Sequence, residues 1–245
     1  MMEKIRYKNQ TLYIKTLLKG TLLFRLTKFP ENDVRGVPLE DGTRCIIPNF
    51  NVFFYPNPFA GELAFKEYLD EFDENVYVYV LEQDVKVLYL LIPSPLHRGS
   101  RTRKNGVITK CSTVKKGCMP RKLSAYDICL EEAFIKKYPH VVGIMSNPVK
   151  DSKAMKAELS KPENQHLEKY FHYAEDSLGI TALPEVSLNP LVERPIENVI
   201  VNKKDKLDLN YKLLKKFKRG DPKIETFMDK HAEYDADTFH FIYKK

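Results

Sequence analysis

Nine lysines and arginines, and no acid, stand between residues 98 and 122 in the run RGSRTRKNGVITKCSTVKKGCMPRK. Arg98, Arg101, Arg103, Lys104, Lys115, Lys116, Arg121 and Lys122 are its candidate phosphate ligands. Basic residues interspersed with glycine, serine and threonine can neutralise a nucleic-acid or dinucleotide backbone; a solvated loop is the plainer alternative. Three other short pieces carry reactive side-chain types. GTLLFR at 20–25 places Arg25 on a strand. NVFFYPNPFAGELA at 51–64 ends a strand on the aromatic Tyr55 and runs into a helix behind Asn57. PEVSL at 184–188 opens a late strand with Glu185. The chain has no glycine-rich dinucleotide fingerprint, no P-loop, no nucleophile elbow and no zinc-protease motif. Cys111 and Cys118 are spaced too widely for a common zinc site, so no metal is expected.

These groups need a folded frame, and the bulk composition supplies one. The 245 residues suit one large domain or a domain with an appendage. Fourteen Phe and fourteen Tyr can fill a core, which argues against general disorder. Four scattered cysteines are no disulfide framework, and no apolar run approaches the ~20 residues of a membrane helix. With no signal-peptide segment at MMEKIRYKNQ, the expectation is a cytoplasmic or nuclear protein with reduced thiols. The net charge is +7, but outside 98–122 only 31 basic residues face 33 acidic ones. One segment carries the excess.

Strands are predicted at 11–15, 20–27, 52–55, 76–81, 85–92, 141–145, 186–188, 199–201 and 238–243, where β-branched and apolar residues cluster or alternate. The two at 76–92 read as a hairpin or close pair through Glu82–Asp84, and 30–42 reads as a loop. Asn57 and Pro58 are a helix start, with Asn as N-cap and Pro at the first position, for a helix to about 72. Ser124 and Asp127 make a capping signature for a helix to about 138. Further helices are expected at 151–159 and, with leucine and aromatic residues at helical spacing, at about 163–178. The segment 203–219 holds eight basic residues beside Leu207, Leu209, Tyr211, Leu213, Leu214 and Phe217, and reads as a basic amphipathic helix. The expected organisation is an α+β core over 1–202, with the basic loop inserted, and a C-terminal basic helix and strand over 203–245 packed on it.

The order of the three pieces, with the Val- and Leu-rich strands VYVLEQDVKVLYL between them, resembles the ADP-ribosyltransferase superfamily. It resembles both the RES-type NAD-degrading members and the diphtheria-toxin-like enzymes, over roughly residues 17–192. It is also similar to diverged proteins of this kind in large DNA viruses of eukaryotes, which would place it in an infected cell or virion. The resemblance implies a mixed split β-sheet with flanking helices and NAD as substrate, bound between the sheet halves. It also implies cleavage of the nicotinamide–ribose bond, with ADP-ribose passing to a protein, a nucleic acid or water. Arg25 would contact the NAD phosphate or ribose, as a planar cation suits. Tyr55 would stack on nicotinamide. Glu185 would bond the ribose and stabilise the oxocarbenium-like charge. Asn57, or the amides behind it, would hold a diphosphate oxygen. Two departures stand out: prolines crowd Tyr55, and a long segment separates Pro139 from Pro184. Each residue also has a plainer role: Arg25 paired with an acid, Tyr55 in the core, Glu185 an ordinary acid, Asn57 only an N-cap. The rival readings are a non-enzymatic nucleic-acid-associated protein, with nucleic acid or an acidic protein at 98–122, and an inactive interaction module.

Overall fold

The computed structural model describes residues 2–8, 10–48, 50–64, 75–89, 103–104, 107–108, 131–146, 152–175 and 181–245. They form a mixed α+β fold, mostly strands with a few helices. Among them no helix is long and apolar enough to cross a membrane.

Two long apolar segments organise the strands. The first gives β2 (Gln10–Leu17) and β3 (Leu22–Leu26); the second gives β7 (Asn75–Leu81) and β8 (Val85–Tyr89). The predicted hairpin across 82–84 is not formed. β7 and β8 belong to different sheets, and so do β2 and β3. Instead β2 pairs with β8 and β3 with β7, antiparallel, and the register of Leu17↔Val85 continues unchanged into Leu22↔Val80. Between them Gly20 donates its N–H to Leu81 and Leu81 donates to Thr21. The result is one ladder bent at Gly20, whose φ of +92° is one that side-chain-bearing residues rarely adopt.

On the β8 side the sheet order is β1 (Met2–Tyr7), β2, β8, β11 (Val141–Ser146), β14 (Glu185–Leu188) and β6 (Val52–Phe54). β11 runs parallel to β8 and antiparallel to β14. On the other side β7 lies between β3 and β16 (Tyr211–Lys218). One further bridge, Phe24↔Tyr55, joins β3 to the end of β6. The strands therefore close into a ring. Its inner face is a core of Leu17, Leu23, Phe54, Tyr79, Val87 and Leu188 with their neighbours. The close approach of β11 to β14 requires Gly143, where a Cβ would lie 2.2 Å from the Ser187 carbonyl oxygen.

Outside the ring, Leu22, Phe24, Val76, Val78 and Val80 pack under α2 (Ala60–Ala64), α4 (Ser152–Leu159), a 3-10 helix (Pro162–Tyr170) and α5 (Lys223–His231). β1, β2, β8 and β11 bury their outer face under α3 (Glu132–Lys137), mainly through Phe134. β4 (Val37–Pro38), β5 (Arg44–Ile46) and β15 (Val199–Val201) make a small separate sheet. Two-residue pairs are formed by β9 (Arg103–Lys104) with β10 (Val107–Ile108), and by β12 (Ala174–Glu175) with β13 (Thr181–Ala182).

Three further expectations are corrected. Residues 30–35 are not loop but α1 (Pro30–Arg35), begun by proline at its first turn with Glu31 and Asp33 behind it. The expected helix at 163–178 is a 3-10 helix ending at Tyr170. The basic helix at 203–219 is absent, because 211–218 is β16, hydrogen-bonded along β7 from Tyr211↔Leu81 to Lys218↔Asn75. Asn75–Leu81 is apolar on both faces and its backbone needs partners on both edges. That demand overrides the helical spacing of the leucines. The helix start at Ser124 and residues 65–72 lie outside the described residues.

The C-terminal segment joins the core rather than hanging from it. The hairpin of β17 (Ala232–Asp235) and β18 (His240–Tyr243) buries Phe241 against the outer cluster. His240 in β18 is fully buried, 2.7 Å from the Thr238 carbonyl through Nδ1, while its Nε2 has no hydrogen-bond partner. Burial drives its pKa down from 6.5 to about 4. The folded ring therefore stays neutral while the unfolded one takes a proton below about pH 6.5. That part of the stability is complete above pH 6.5 and is lost progressively down to pH 4. At about 1.4 kcal/mol per pKa unit the loss is roughly 3 kcal/mol. Urea unfolding of the wild type and His240→Leu at pH 7 and pH 4.5 should show a smaller acid loss in the variant. Equal losses would contradict the assignment.

Candidate active site

Glu185 begins β14 and is paired with Ser146 on one side. On the other side the register Val186↔Phe54 sets it across from Tyr55. Tyr55 is in turn hydrogen-bonded through its backbone to Phe24, donating at 2.8 Å and accepting at 3.2 Å. Arg25 follows Phe24. The three residues that the sequence singled out at 25, 55 and 185 thus lie on neighbouring strands where the two sheets join, but not on one face: Tyr55 packs with the outer cluster and Glu185 alternates with the inward Val186 and Leu188, whereas Arg25 turns inward. The Arg25 charge acts on both Glu185 and Tyr55. Burial raises the Glu185 carboxyl to about pKa 7, with Arg25 pulling it back. Burial, then the Glu185 charge, pushes the Tyr55 hydroxyl up, against a smaller pull from Arg25. A half-buried carboxyl poised near neutrality beside a cation is a recognised mark of functional sites.

Arg25 is bound inside the protein as well. Strand alternation puts it on the inner face with Leu23, where its Nε lies 2.7 Å from Oδ1 of Asp33. Its Nη1 donates to the Phe53 carbonyl at 3.0 Å, across the seam. Asp33 is 1% exposed. It accepts from the Tyr79 hydroxyl at 2.8 Å, and the Tyr211 hydroxyl donates to its backbone carbonyl. Tyr79, Tyr211 and Phe54 pack edge to face around it, with centroids 4.9 to 5.6 Å apart. Burial raises the Asp33 pKa, while the Arg25 charge and the Tyr79 hydrogen bond lower it. Of the roles expected for Arg25, pairing with an acid is present, and the acid is buried.

The remaining expected residues separate. Asn57 caps α2 as anticipated, its Oδ1 accepting from the amides of Phe59 and Ala60. Its Nδ2 donates to the Tyr170 carbonyl, and the side chain is buried. The diphosphate role drawn for Asn57 and those amides is thus not supported: their hydrogen bonds are already made within the fold. The ring of Tyr55 lies against Gly61 of α2, where a Cβ would come within 2.8 Å of Cε2. Arg103 and Lys104 form β9, whereas Arg98, Arg101, Lys115, Lys116, Arg121 and Lys122 lie outside the described residues. Among the described residues no three His, Cys, Asp or Glu side chains gather to hold a metal ion.

Sequence reasoning missed Asp33, Phe53 and the two tyrosines that hold Asp33. Only the Pro-Glu-Asn-Asp start of α1 hinted that an acid there had a fixed position. A cavity of about 410 Å³ opens elsewhere, between Asp84, Lys86, His140, Glu193 and Asn210. It lies where β8 and β11 begin, at the far end of these strands from Glu185, and is not part of the seam. Comparison with known proteins returns no matching family model, no matching curated protein and no matching solved structure.

Proposed function

We propose that the chain is an ADP-ribosyltransferase-like, NAD-cleaving protein that breaks the nicotinamide–ribose bond at the Arg25–Tyr55–Glu185 seam. The observation that carries this reading is the position of Glu185, half-buried, across from Tyr55 and within the field of Arg25. As the C1′–N bond breaks, its electron pair leaves with neutral nicotinamide and positive charge develops on the ribose. An ionised Glu185 beside that carbon stabilises the charge, and the acceptor's oxygen or nitrogen then attacks C1′ and gives up its proton. A fixed carboxylate at developing charge is electrostatic catalysis. Arg25, held on Asp33, supplies the cation for the diphosphate.

The test is incubation of the wild-type chain with NAD while free nicotinamide is followed. Release that rises as pH passes through 7, following Glu185 ionisation, is expected. No release, together with no NAD-induced thermal shift, removes the proposal.

One observation favours a second reading. β16 exposes Lys212, Lys215, Lys216 and Lys218 and contains no acid, which suits phosphate contacts of a nucleic acid. Its affinity would fall steeply with salt.

A further inference from the structure

We infer that the cavity of about 410 Å³ at the far end of the strands binds a small organic cation, a primary ammonium or guanidinium ion on a short carbon stem. Four stretches of chain build it: the bend before β8, the start of β11, the loop after β14 and the residue before β16. Val85 and Val142 belong to the inner core of the ring, and with Val192 they give the cavity its apolar lining. It is thus an open mouth of the strand ring with a polar rim, and such mouths are regular seats for small ligands. Hydrogen bonds fix its frame. Asn210 is fully buried, donates to the carbonyls of Asn189 and Leu191 at 3.1 and 2.6 Å, and accepts from Gln83 at 3.0 Å. Glu193 stands between two pinned amides: Val192 donates its N–H to the Asp208 carbonyl, and Arg194 donates to that of Pro139.

The charges on the lining decide what fits. Lys86 is already matched, its Nζ 2.8 Å from Glu3. Asp84 and Glu193 are the two carboxylates of the lining. Asp84 accepts the Lys19 amide through Oδ1 at 2.7 Å, which fixes its direction and leaves its charge. The Glu193 carboxylate makes no ion pair or hydrogen bond among the described residues. Two carboxylates over an apolar wall concentrate a negative field in the cavity and draw in cations. A metal ion does not suit it, because among the described residues no three His, Cys, Asp or Glu side chains gather to hold one. An organic cation meets both halves of the lining: its N–H groups donate to the carboxylates, and its stem lies on the valines. Two sources carry that chemistry, a free amine and the lysine or arginine side chain of a peptide. The site lies apart from the seam, and the inference stands whether or not the seam cleaves NAD.

The test is isothermal titration calorimetry of the wild-type chain with n-butylamine, agmatine and Nα-acetyl-lysine methylamide. Butyrate and n-butanol are the matched controls. Titration at pH 8 keeps amines and carboxylates charged while imidazole side chains are ordinarily neutral. The expected result is saturable binding of the cations and none of butyrate or butanol. Tighter binding of butylamine or agmatine marks a free amine as the source, and tighter binding of the blocked lysine marks a peptide side chain. Glu193→Gln, at an exposed position, should weaken the best cation about tenfold, the scale of one charge-assisted hydrogen bond. Val192→Phe should abolish binding by filling the cavity. Glu197→Gln removes the same charge from an exposed position outside the lining and should leave the affinity unchanged. No binding of any cation, equal binding of butyrate, unchanged affinity in Glu193→Gln, or equal weakening in Glu197→Gln overturns the inference.

Discussion

Glu185→Gln should stop nicotinamide release and at the same time make the protein more stable above neutral pH. Loss of the carboxylate that the strand register sets across from Tyr55 should lower the rate by about a hundredfold or more, the scale seen when one group facing developing charge is removed. The stability gain follows from the same burial. In the folded protein the Glu185 carboxyl keeps its proton up to about pH 7, whereas the unfolded chain releases it from about pH 4.5. Between those values ionisation favours the unfolded chain. Above pH 7 the folded state carries the full cost of holding that charge, about 2 kcal/mol once partial exposure is allowed for. Glutamine has no such charge to hold. Urea unfolding should give equal stabilities for wild type and variant near pH 4 and a more stable variant at pH 8. A variant no more stable at pH 8 would mean that Glu185 sits in water and is not poised for the proposed step.

Asp33→Ala is expected to cost the fold about 3 kcal/mol, toward the lower end for removing one partner of a buried ion pair, since Arg25 keeps 27% of its side chain exposed. The loss arises from what is left behind. The Tyr79 hydroxyl loses its acceptor inside an aromatic box, and Arg25 loses the anion that fixes its direction. Asp33→Asn should recover part of the loss, because an amide oxygen still accepts from Tyr79. Chemical denaturation of both variants and of Tyr79→Phe/Asp33→Ala tests the account, since the two sites share one hydrogen bond and their effects should not add. Strict additivity would contradict it. Asp33 acts on the proposed chemistry only as a positioning residue. The discriminating readout is therefore Asp33→Asn, whose KM for NAD should rise while its pH profile keeps the Glu185 limb.

What the sequence could and could not disclose follows from where each cause lies. β3, β6, β11, β14 and β15 were readable because their apolar, β-branched residues answer to local chemistry, and Asn57 because a cap is a bond between near neighbours. Arg25, Tyr55 and Glu185 could be named one at a time, but their meeting could not be derived from spacing. It depends on the Phe24↔Tyr55 bridge and on β14 returning beside β6. The segment 203–219 misled because its leucines satisfy a helical period. The deciding factor was the open edge of β7, more than 120 residues earlier. Asp33 gave almost no signal, being a polar residue in a stretch punctuated by proline and glycine. Its burial is created by Tyr79 and Tyr211, which arrive from two different strands. The link at 82–84 has the length of a hairpin turn, and only the unbroken register on both sides shows that it is a bend.

That bent ladder governs how the chain can be made. Its two halves are separated by some sixty residues, and the ring closes only when β14, which begins at Glu185, comes to lie between β6 and β11. So few local contacts imply folding on the millisecond-to-second scale rather than in microseconds. During synthesis the delay is longer. At ribosomal speeds of about 5–20 residues per second, β6 emerges roughly ten seconds before the strand that will cover its edge. For that interval the apolar inner face of the N-terminal half is complete but unmatched, and a cell producing this protein must shield it.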